Sequence, residues 1–203
     1  MTLLILGTGN NIKLKPKWLQ QLFKKQIDFR SINVIDFRCG SNQSYGVFDM
    51  LSLNKWQQVY NEFQTLTTSE ETFDQISKHL ENLNTVICHS SGCTLFNNYC
   101  LNRPLPEQLK KIIFIQADMC ADSKLNFVNK ETQIKFTNLY CNYDTSLIFG
   151  KYILKHNWQS AGLKGFENYP KSNKFSPLSR INPVNHNSTI MNPRLLSQII
   201  KLY

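Results

Sequence analysis

Residues 86–92 read V-I-C-H-S-S-G, an apolar strand sequence that runs directly into small polar residues. An apolar helical pattern follows and stops before Pro104. Strand, abrupt turn and helix are the setting of a nucleophile elbow, in which a strained backbone lifts a serine above the edge of a sheet. Small neighbours keep such a turn from clashing, so the pattern centres on Ser90, with Gly92 after it and Cys88 where glycine is usual. The alternative is a helix-capping loop after a strand.

The composition predicts a single domain over residues 1–203. With 203 residues, of which 41% are hydrophobic, the chain is long enough to bury one core. The net charge of +9 is spread over short pairs such as Lys24-Lys25 and Lys110-Lys111, with no basic run. This pattern is typical of a solvated basic surface that mildly favours an anionic substrate or a membrane face. No specific nucleic-acid partner is expected.

The cysteines favour a reducing, intracellular setting, in the cytoplasm. The chain contains six of them, namely Cys39, Cys88, Cys93, Cys100, Cys120 and Cys141. They form no C-x-x-C pair, and several fall inside apolar patterns, as buried free thiols do. Residues 1–6 are too short for a signal peptide and lack a basic start. No apolar run is long enough to span a bilayer.

Alternating patterns predict an α/β fold, a three-layer sandwich with a mainly parallel central sheet. Short apolar runs predict strands at residues 2–6, 32–35, 85–87, 112–115 and 134–141. Helical periodicity or capping predicts helices at residues 16–23, 51–63, 69–80, 94–100, 145–158 and 193–202. Residues 160–183 are expected to form a long loop with one short strand. This loop and residues 39–63 are long enough to form partial lids over a substrate.

Ser90 needs a general base, and that base needs a third group to hold its tautomer. Functional groups gather at the carboxyl ends of strands in an open parallel sheet. Asp144 follows a predicted strand and is interpreted as the acid of a triad. It also precedes a helix, where an N-cap aspartate is common, and the two roles are compatible. Asp118, just past the preceding strand, is the competing acid.

His186 is the candidate base. It lies in a polar loop before the last predicted helix, which places the three groups in the chain order Ser, Asp, His. His79 and His156 fall within predicted helices and are interpreted as structural or exposed. His89 adjoins the proposed nucleophile, and strand direction should turn its ring away from Ser90, so it is expected to pack or to support the site.

A tetrahedral intermediate also needs donors for its negative charge. The backbone N–H of Ser91, at the start of the helix after the elbow, is one candidate. The backbone N–H of Thr8 is the other, since Gly7 and Gly9 allow close approach. The rival interpretation of this loop is a dinucleotide-binding fingerprint, but Ile12 occupies the position of its third glycine.

These residues resemble the α/β-hydrolase superfamily, and within it the compact serine hydrolases of the retinoblastoma-binding-protein type. The resemblance rests on Gly7-Thr8-Gly9, His89-Ser90-Ser91-Gly92, Asp144 and His186. It implies a minimal α/β-hydrolase fold and a Ser–His–Asp esterase, lipase, thioesterase or peptidase mechanism with no cofactor. The chain departs from the pattern at Cys88, which replaces the first elbow glycine, and at Leu6, where histidine is frequent.

The sequence therefore predicts a serine hydrolase that cleaves an ester, thioester or amide bond, without a cofactor or metal. A small-molecule or acyl/lipid substrate is expected, and esterase- or lipase-like activity is favoured. Trp56, Tyr60 and Phe63 could line an acyl pocket, although their helical spacing is also typical of core residues. A non-catalytic binding or scaffold protein of the same fold is the alternative. The sequence leaves the oligomeric state open.

Overall fold

The computed structural model describes residues 2–6, 32–36, 53–128, 133–153 and 158–175, and also His186, Ile190, Leu196, Gln198, Ile199 and Lys201. These residues form an α/β fold around one central sheet, as the sequence predicts. Within the described part of the chain, no helix is both long and apolar enough to cross a bilayer. The helix predicted at residues 16–23 and His156 lie outside the described residues.

The sheet has six strands, and all neighbouring pairs are parallel. In chain order they are β1 (Thr2–Leu6), β2 (Ile32–Asp36), β3 (Thr85–His89), β4 (Lys111–Ile115), β5 (Lys135–Tyr140) and β6 (Asn173–Phe175). Their order across the sheet is β2-β1-β3-β4-β5-β6. The predicted parallel sheet is confirmed, and β6 is the short strand expected within residues 160–183.

Helices connect or flank these strands. They are α1 (Leu53–Leu66), α2 (Glu70–Leu80), α3 (Gly92–Asn102), α4 (Thr145–Ile153) and the single turn α5 (Ala161–Lys164). Ser69 caps α2 as its sequence predicts, because its side chain accepts a hydrogen bond from the Thr72 N–H. At the last predicted helix, Leu196 and Ile199 are helical and buried, whereas Gln198 and Lys201 are helical and exposed.

The helix predicted over residues 145–158 does not reach Trp158, which lies in a bend. The reason is the backbone that follows. Gln159 accepts a hydrogen bond from the Ala121 N–H, and Ser160 forms an antiparallel bridge with Cys120. An extended backbone is required for these contacts, so helical geometry has ended before this point.

Alternation along β3 divides its side chains between the two faces of the sheet. Val86 and Cys88 pack in the main hydrophobic core, which also contains residues of α2 and α3. Ile87 and His89 are equally buried but alternate with them and so face the other side. This core also contains a cluster of aromatic rings in mutual contact, comprising Phe96, Phe114, Phe127, Phe136 and Phe166.

The strand order reverses between β1 and β3. From β1 the chain moves outward to β2, then returns to place β3 on the other side of β1. The register pairs Ile5 with Cys88, so these two strands end side by side. Ligands of open α/β sheets bind outside the carboxyl ends of the strands at such a reversal. Ser90 immediately follows β3 at this position.

Residues 159–166 are integrated into the fold beside the carboxyl ends of β4 and β5. Backbone hydrogen bonds join Met119 to Ala161 and Ala117 to Gly162, and the Cys141 N–H donates to the Gly162 carbonyl at 2.8 Å. Phe166 belongs to the core. Whether later residues of the 160–183 segment, or residues 39–63, cover a substrate stays a prediction.

Replacing Gly162 with alanine is expected to lower the free energy of unfolding by about 2 kcal/mol, because the site has no room for a methyl group. The added Cβ would lie 2.6 Å from the Gln116 carbonyl carbon and 2.7 Å from the Ala117 nitrogen, both backbone atoms. Gly150, within α4, has nothing within 4 Å of the same position. Gly150→Ala should therefore stabilise the helix by about 0.5–1 kcal/mol. Urea unfolding of the two variants checks both signs, and equal effects would contradict the steric argument.

Candidate active site

Ser90 forms a strained turn between β3 and α3. Its φ of 56° lies in the left-handed region, which a residue with a side chain rarely adopts. Hydrogen bonds hold it there, because its N–H donates to the Ile115 carbonyl at 3.1 Å and its own carbonyl accepts from the N–H groups of Cys93 and Asp118. The residue is 8% exposed. This is the backbone geometry that a nucleophile elbow requires, and such strain concentrates at functional sites.

Cys88 is accommodated two residues before Ser90 without loss of that turn. Its side chain is fully buried in the hydrophobic core on the face that carries α2 and α3. Burial, with smaller contributions from Cys93 and Cys100, raises the pKa of the Cys88 thiol well above its ordinary value. Cys88 is therefore a neutral packing residue, and its extra volume lies within the core.

Gln116 repeats the geometry of Ser90 on the neighbouring strand, and the sequence analysis did not identify it. It follows β4 directly, has a φ of 49°, and donates its N–H to the Leu139 carbonyl at 2.8 Å. Its side-chain Nε2 donates to Asp144 Oδ2 at 2.7 Å. The available signal was a polar residue ending the apolar run of β4, at the edge where functional groups gather.

Asp144 is completely buried and accepts three hydrogen bonds. Oδ1 accepts from the Leu147 N–H at 3.1 Å, as an N-cap of α4 does, while Oδ2 accepts from Gln116 and from the His186 ring. Burial by itself raises the pKa of this carboxyl. The nearby His186 and the hydrogen bonds outweigh burial, so the pKa lies below its ordinary value. Asp144 is therefore ionised at neutral pH.

His186 lies against Asp144, with 2.6 Å between its Nδ1 and Asp144 Oδ2. Because a carboxylate only accepts, Nδ1 carries the hydrogen and donates it. In the neutral ring this leaves Nε2 as the unprotonated nitrogen, which is the tautomer that a general base needs. The two residues are 42 apart in the chain and are both buried, His186 being 9% exposed.

His89 connects the strand before Ser90 to His186. Its Nε2 lies 3.0 Å from the His186 carbonyl oxygen, and the two ring centroids are 4.6 Å apart. Since a carbonyl accepts, Nε2 carries the hydrogen of a neutral His89 ring. Complete burial, reinforced by the neighbouring His186, lowers the pKa of His89 to about 3. The ring is neutral over the whole physiological range.

The structure thus brings Asp144 and His186 into direct contact and links them, through His89, to the turn that carries Ser90. Ser91 is the N-cap of α3 and Gly92 is its first residue, and both are buried. Of the two candidate acids, Asp144 is the one whose carboxylate contacts His186 Nδ1. The backbone N–H of the competing acid, Asp118, donates instead to the carbonyl of Ser90.

Several predicted site residues cannot be placed. Gly7, Thr8 and Gly9, the expected second side of the oxyanion site, lie outside the described residues. The same holds for the side chains of Trp56 and Tyr60, whereas Phe63 is buried in the hydrophobic core. An acyl pocket lined by the first two aromatics therefore stays a prediction.

No family model matches the chain, and comparisons with curated proteins and with solved structures give no match either. In the part of the chain that the structure describes, no group of three or more His, Cys, Asp or Glu residues could hold a metal ion. The interpretation of the site therefore depends on its own geometry.

Acidification is expected to destabilise the protein through His89. In the unfolded chain this residue takes up a proton near its ordinary pKa of 6.5, whereas in the folded protein it does so at about 3. Its contribution to stability is therefore complete above pH 6.5, and between pH 6.5 and about 4.5 it falls by about 1.4 kcal/mol per pH unit. Lower pH is avoided because carboxyl groups of the unfolded chain then take up protons as well.

Urea unfolding at successive pH values, with His89→Gln as the matched variant, checks this slope. Glutamine does not titrate, so the free energy of unfolding of the wild type should fall faster than that of His89→Gln as the pH is lowered. The other titrating groups are common to both proteins, so the difference between the two curves reports the change at His89. Parallel curves for the two would contradict the low pKa of His89.

Proposed function

We propose that this chain is a serine hydrolase of ester, thioester or amide bonds, with Ser90 as nucleophile, His186 as general base and Asp144 as the acid that orients it. The observation that carries the proposal is the buried 2.6 Å contact between His186 Nδ1 and Asp144 Oδ2. A serine with left-handed backbone follows β3 at the carboxyl edge of the parallel sheet, and the residue before it, His89, hydrogen-bonds to the His186 carbonyl. The lowered pKa of Asp144, which keeps this carboxyl ionised at neutral pH, supports its proposed role.

In the proposed reaction, His186 Nε2 removes the hydroxyl proton as Ser90 Oγ attacks the carbonyl carbon of the substrate. The tetrahedral intermediate collapses, and His186 returns the proton to the leaving alcohol, thiol or amine. Water then attacks the acyl-enzyme with the same residue as base, releasing the acid and free Ser90. Asp144 keeps Nδ1 protonated and stabilises the imidazolium that forms in each step.

The backbone N–H groups of Ser91 and Thr8 are proposed to stabilise the oxyanion. Ser91 supports this role because it is the N-cap of α3, where the aligned peptide dipoles favour negative charge. Thr8 follows β1 by two residues in the chain, and β1 ends beside β3. The fold is compatible with a compact α/β-hydrolase of the retinoblastoma-binding-protein type, and we propose membership of that superfamily. The mechanism needs no cofactor.

The proposed substrate is a small or acyl/lipid carboxylic ester, with a thioester or amide as the other bond types. The net charge of +9 favours a substrate that carries an anionic group or is presented at an anionic membrane surface. We further propose that the protein acts inside the cell, in keeping with its free thiols at Cys88, Cys93, Cys100, Cys120 and Cys141.

A fluorophosphonate probe tests the proposed chemistry directly, because it forms a covalent bond only with an activated serine. Mass spectrometry of the labelled protein should locate the adduct on Ser90, and Ser90→Ala should abolish it. Absence of labelling in the folded wild type would reject the hydrolase and favour a non-catalytic binding or scaffold protein. A series of p-nitrophenyl esters of graded chain length, beside thioester and peptide substrates, then identifies the preferred bond and acyl length.

A further inference from the structure

We propose that His89 is a positioning residue, which holds the main chain of His186 and so ties the imidazole on Asp144 to the end of the strand that carries Ser90. The inference rests on the proposed function for its catalytic consequence. The contact on which it depends is the 3.0 Å hydrogen bond from His89 Nε2 to the His186 carbonyl. It joins residues 97 apart in the chain.

This contact supplies a second anchor for the base. The Asp144 carboxylate holds His186 at ring Nδ1, which fixes the side chain relative to α4 and β5. A ring held only at one atom can still pivot about it together with its backbone. The hydrogen bond to the carbonyl fixes the backbone as well, so position and orientation are both defined.

The hydrogen bond from His89 also fixes the position of His186 relative to Ser90. His89 is the last residue of β3 and is covalently bonded to Ser90, whose own turn is held by Ile115 and Asp118. Any shift of the His89 ring is therefore small relative to the serine. Asp144 belongs to another strand connection, so it alone does not fix the distance between base and nucleophile.

Neutrality is required for this role, and the surroundings enforce it. The His186 ring disfavours a charge on His89, whereas the hydrogen bond to the His186 carbonyl and the Asp144 carboxylate favour one. Complete burial is the largest influence and keeps the ring uncharged. A neutral donor leaves the positive charge that forms on His186 during catalysis without a second cation 4.6 Å away.

The test compares two variants of similar size, His89→Gln and His89→Met. Glutamine places an N–H donor close to the position of histidine Nε2, whereas methionine fills similar space without a donor. His79→Gln, on the exposed face of α2, serves as the control for a surface histidine change. Circular dichroism establishes that each variant is folded.

Two readouts separate this inference from the proposed function. The first is the ¹⁵N–¹H signal of the hydrogen on His186 Nδ1, which reports the Asp144 contact whether or not the protein is an enzyme. It should persist in His89→Gln and be lost to solvent exchange in His89→Met. The second is the labelling reaction at Ser90, in which His89→Met should lower the maximal rate about 10–100-fold without weakening probe binding, and His89→Gln should restore most of it.

If His89→Met keeps the His186 Nδ1–H signal, the inference is overturned, whatever the protein does with substrates. If the wild type is not labelled, the proposed function fails, and the spectroscopic comparison still decides whether His89 positions His186. If the wild type is labelled, equal labelling rates for the folded methionine and glutamine variants would also overturn the inference, since a purely structural role does not distinguish a donor from a thioether of the same size.

Discussion

Replacing Ser90 with glycine is expected to abolish turnover and, at the same time, to raise the melting temperature. A left-handed backbone costs a residue with a side chain about 1 kcal/mol or more, and glycine adopts it freely. Ser90 has a φ of 56°, and its backbone hydrogen bonds to Ile115, Cys93 and Asp118 involve no side-chain atom of residue 90. The turn should therefore survive, with a gain of about 2–4 °C in melting temperature for a chain of this size.

The activity of Ser90→Gly should fall about 10⁶-fold, the usual consequence of removing a serine nucleophile. Ser90→Ala is the matched control, because alanine also lacks the hydroxyl but retains the steric cost of the left-handed turn. It should be equally inactive and less stable than Ser90→Gly. Thermal unfolding and ester hydrolysis of the pair measure both effects. Equal stability of the two would mean that the turn is not strained, and hydrolysis by Ser90→Gly would identify another nucleophile.

Asp144→Asn is expected to lower kcat about 10⁴-fold while leaving the fold intact. The amide oxygen can still accept from the Leu147 N–H, so the cap of α4 is retained. The amide nitrogen then faces two donors, Gln116 Nε2 and the hydrogen on His186 Nδ1. His186 relieves the conflict by moving its hydrogen to Nε2, and it can no longer act as a base toward Ser90.

Asp118→Asn discriminates between the two candidate acids. The Asp118 N–H donates to the Ser90 carbonyl and the Asp118 carbonyl accepts from the Thr94 hydroxyl, and asparagine preserves both backbone groups, so this variant should retain most of the wild-type kcat. Steady-state kinetics of both variants, with the melting temperature as a check on folding, provides the measurement. A large loss in Asp118→Asn together with an active Asp144→Asn would reverse the assignment.

The fold was predictable because its strands are short, apolar and separated by helical patterns or polar loops. Thr85–His89 and Lys111–Ile115 lie within a residue or two of their predicted bounds. The prediction was wrong at Trp158, where hydrogen bonds of the next segment to Ala121 override local helical preference. Such contacts join residues far apart in the chain, and periodicity carries no information about them.

At the candidate site, too, some features could be predicted from the sequence and others could not. Asp144 and His186 could be proposed from their places after a strand and before a helix, since chain order and sheet topology bring such residues to one edge. The place of Gln116 at the end of an apolar run was visible in the sequence, but its role was not, because a glutamine gives no sign that its backbone will be left-handed or that its amide will reach a carboxylate. The hydrogen bond of His89 could not be predicted either, because it depends on the position of the His186 carbonyl, which is far away in the chain.

Two buried free thiols close to Ser90 in the chain, Cys88 and Cys93, can be used to detect local unfolding of the site. Cys88 and Cys93 are fully buried, and burial raises the pKa of both thiols far above neutrality, so the native state offers electrophiles no thiolate there. Alkylation of either sulfur must wait until the surrounding core opens. The alkylation rate of each cysteine, measured by peptide mass, therefore reports how often β3 and α3, the strand and helix on either side of Ser90, unfold locally.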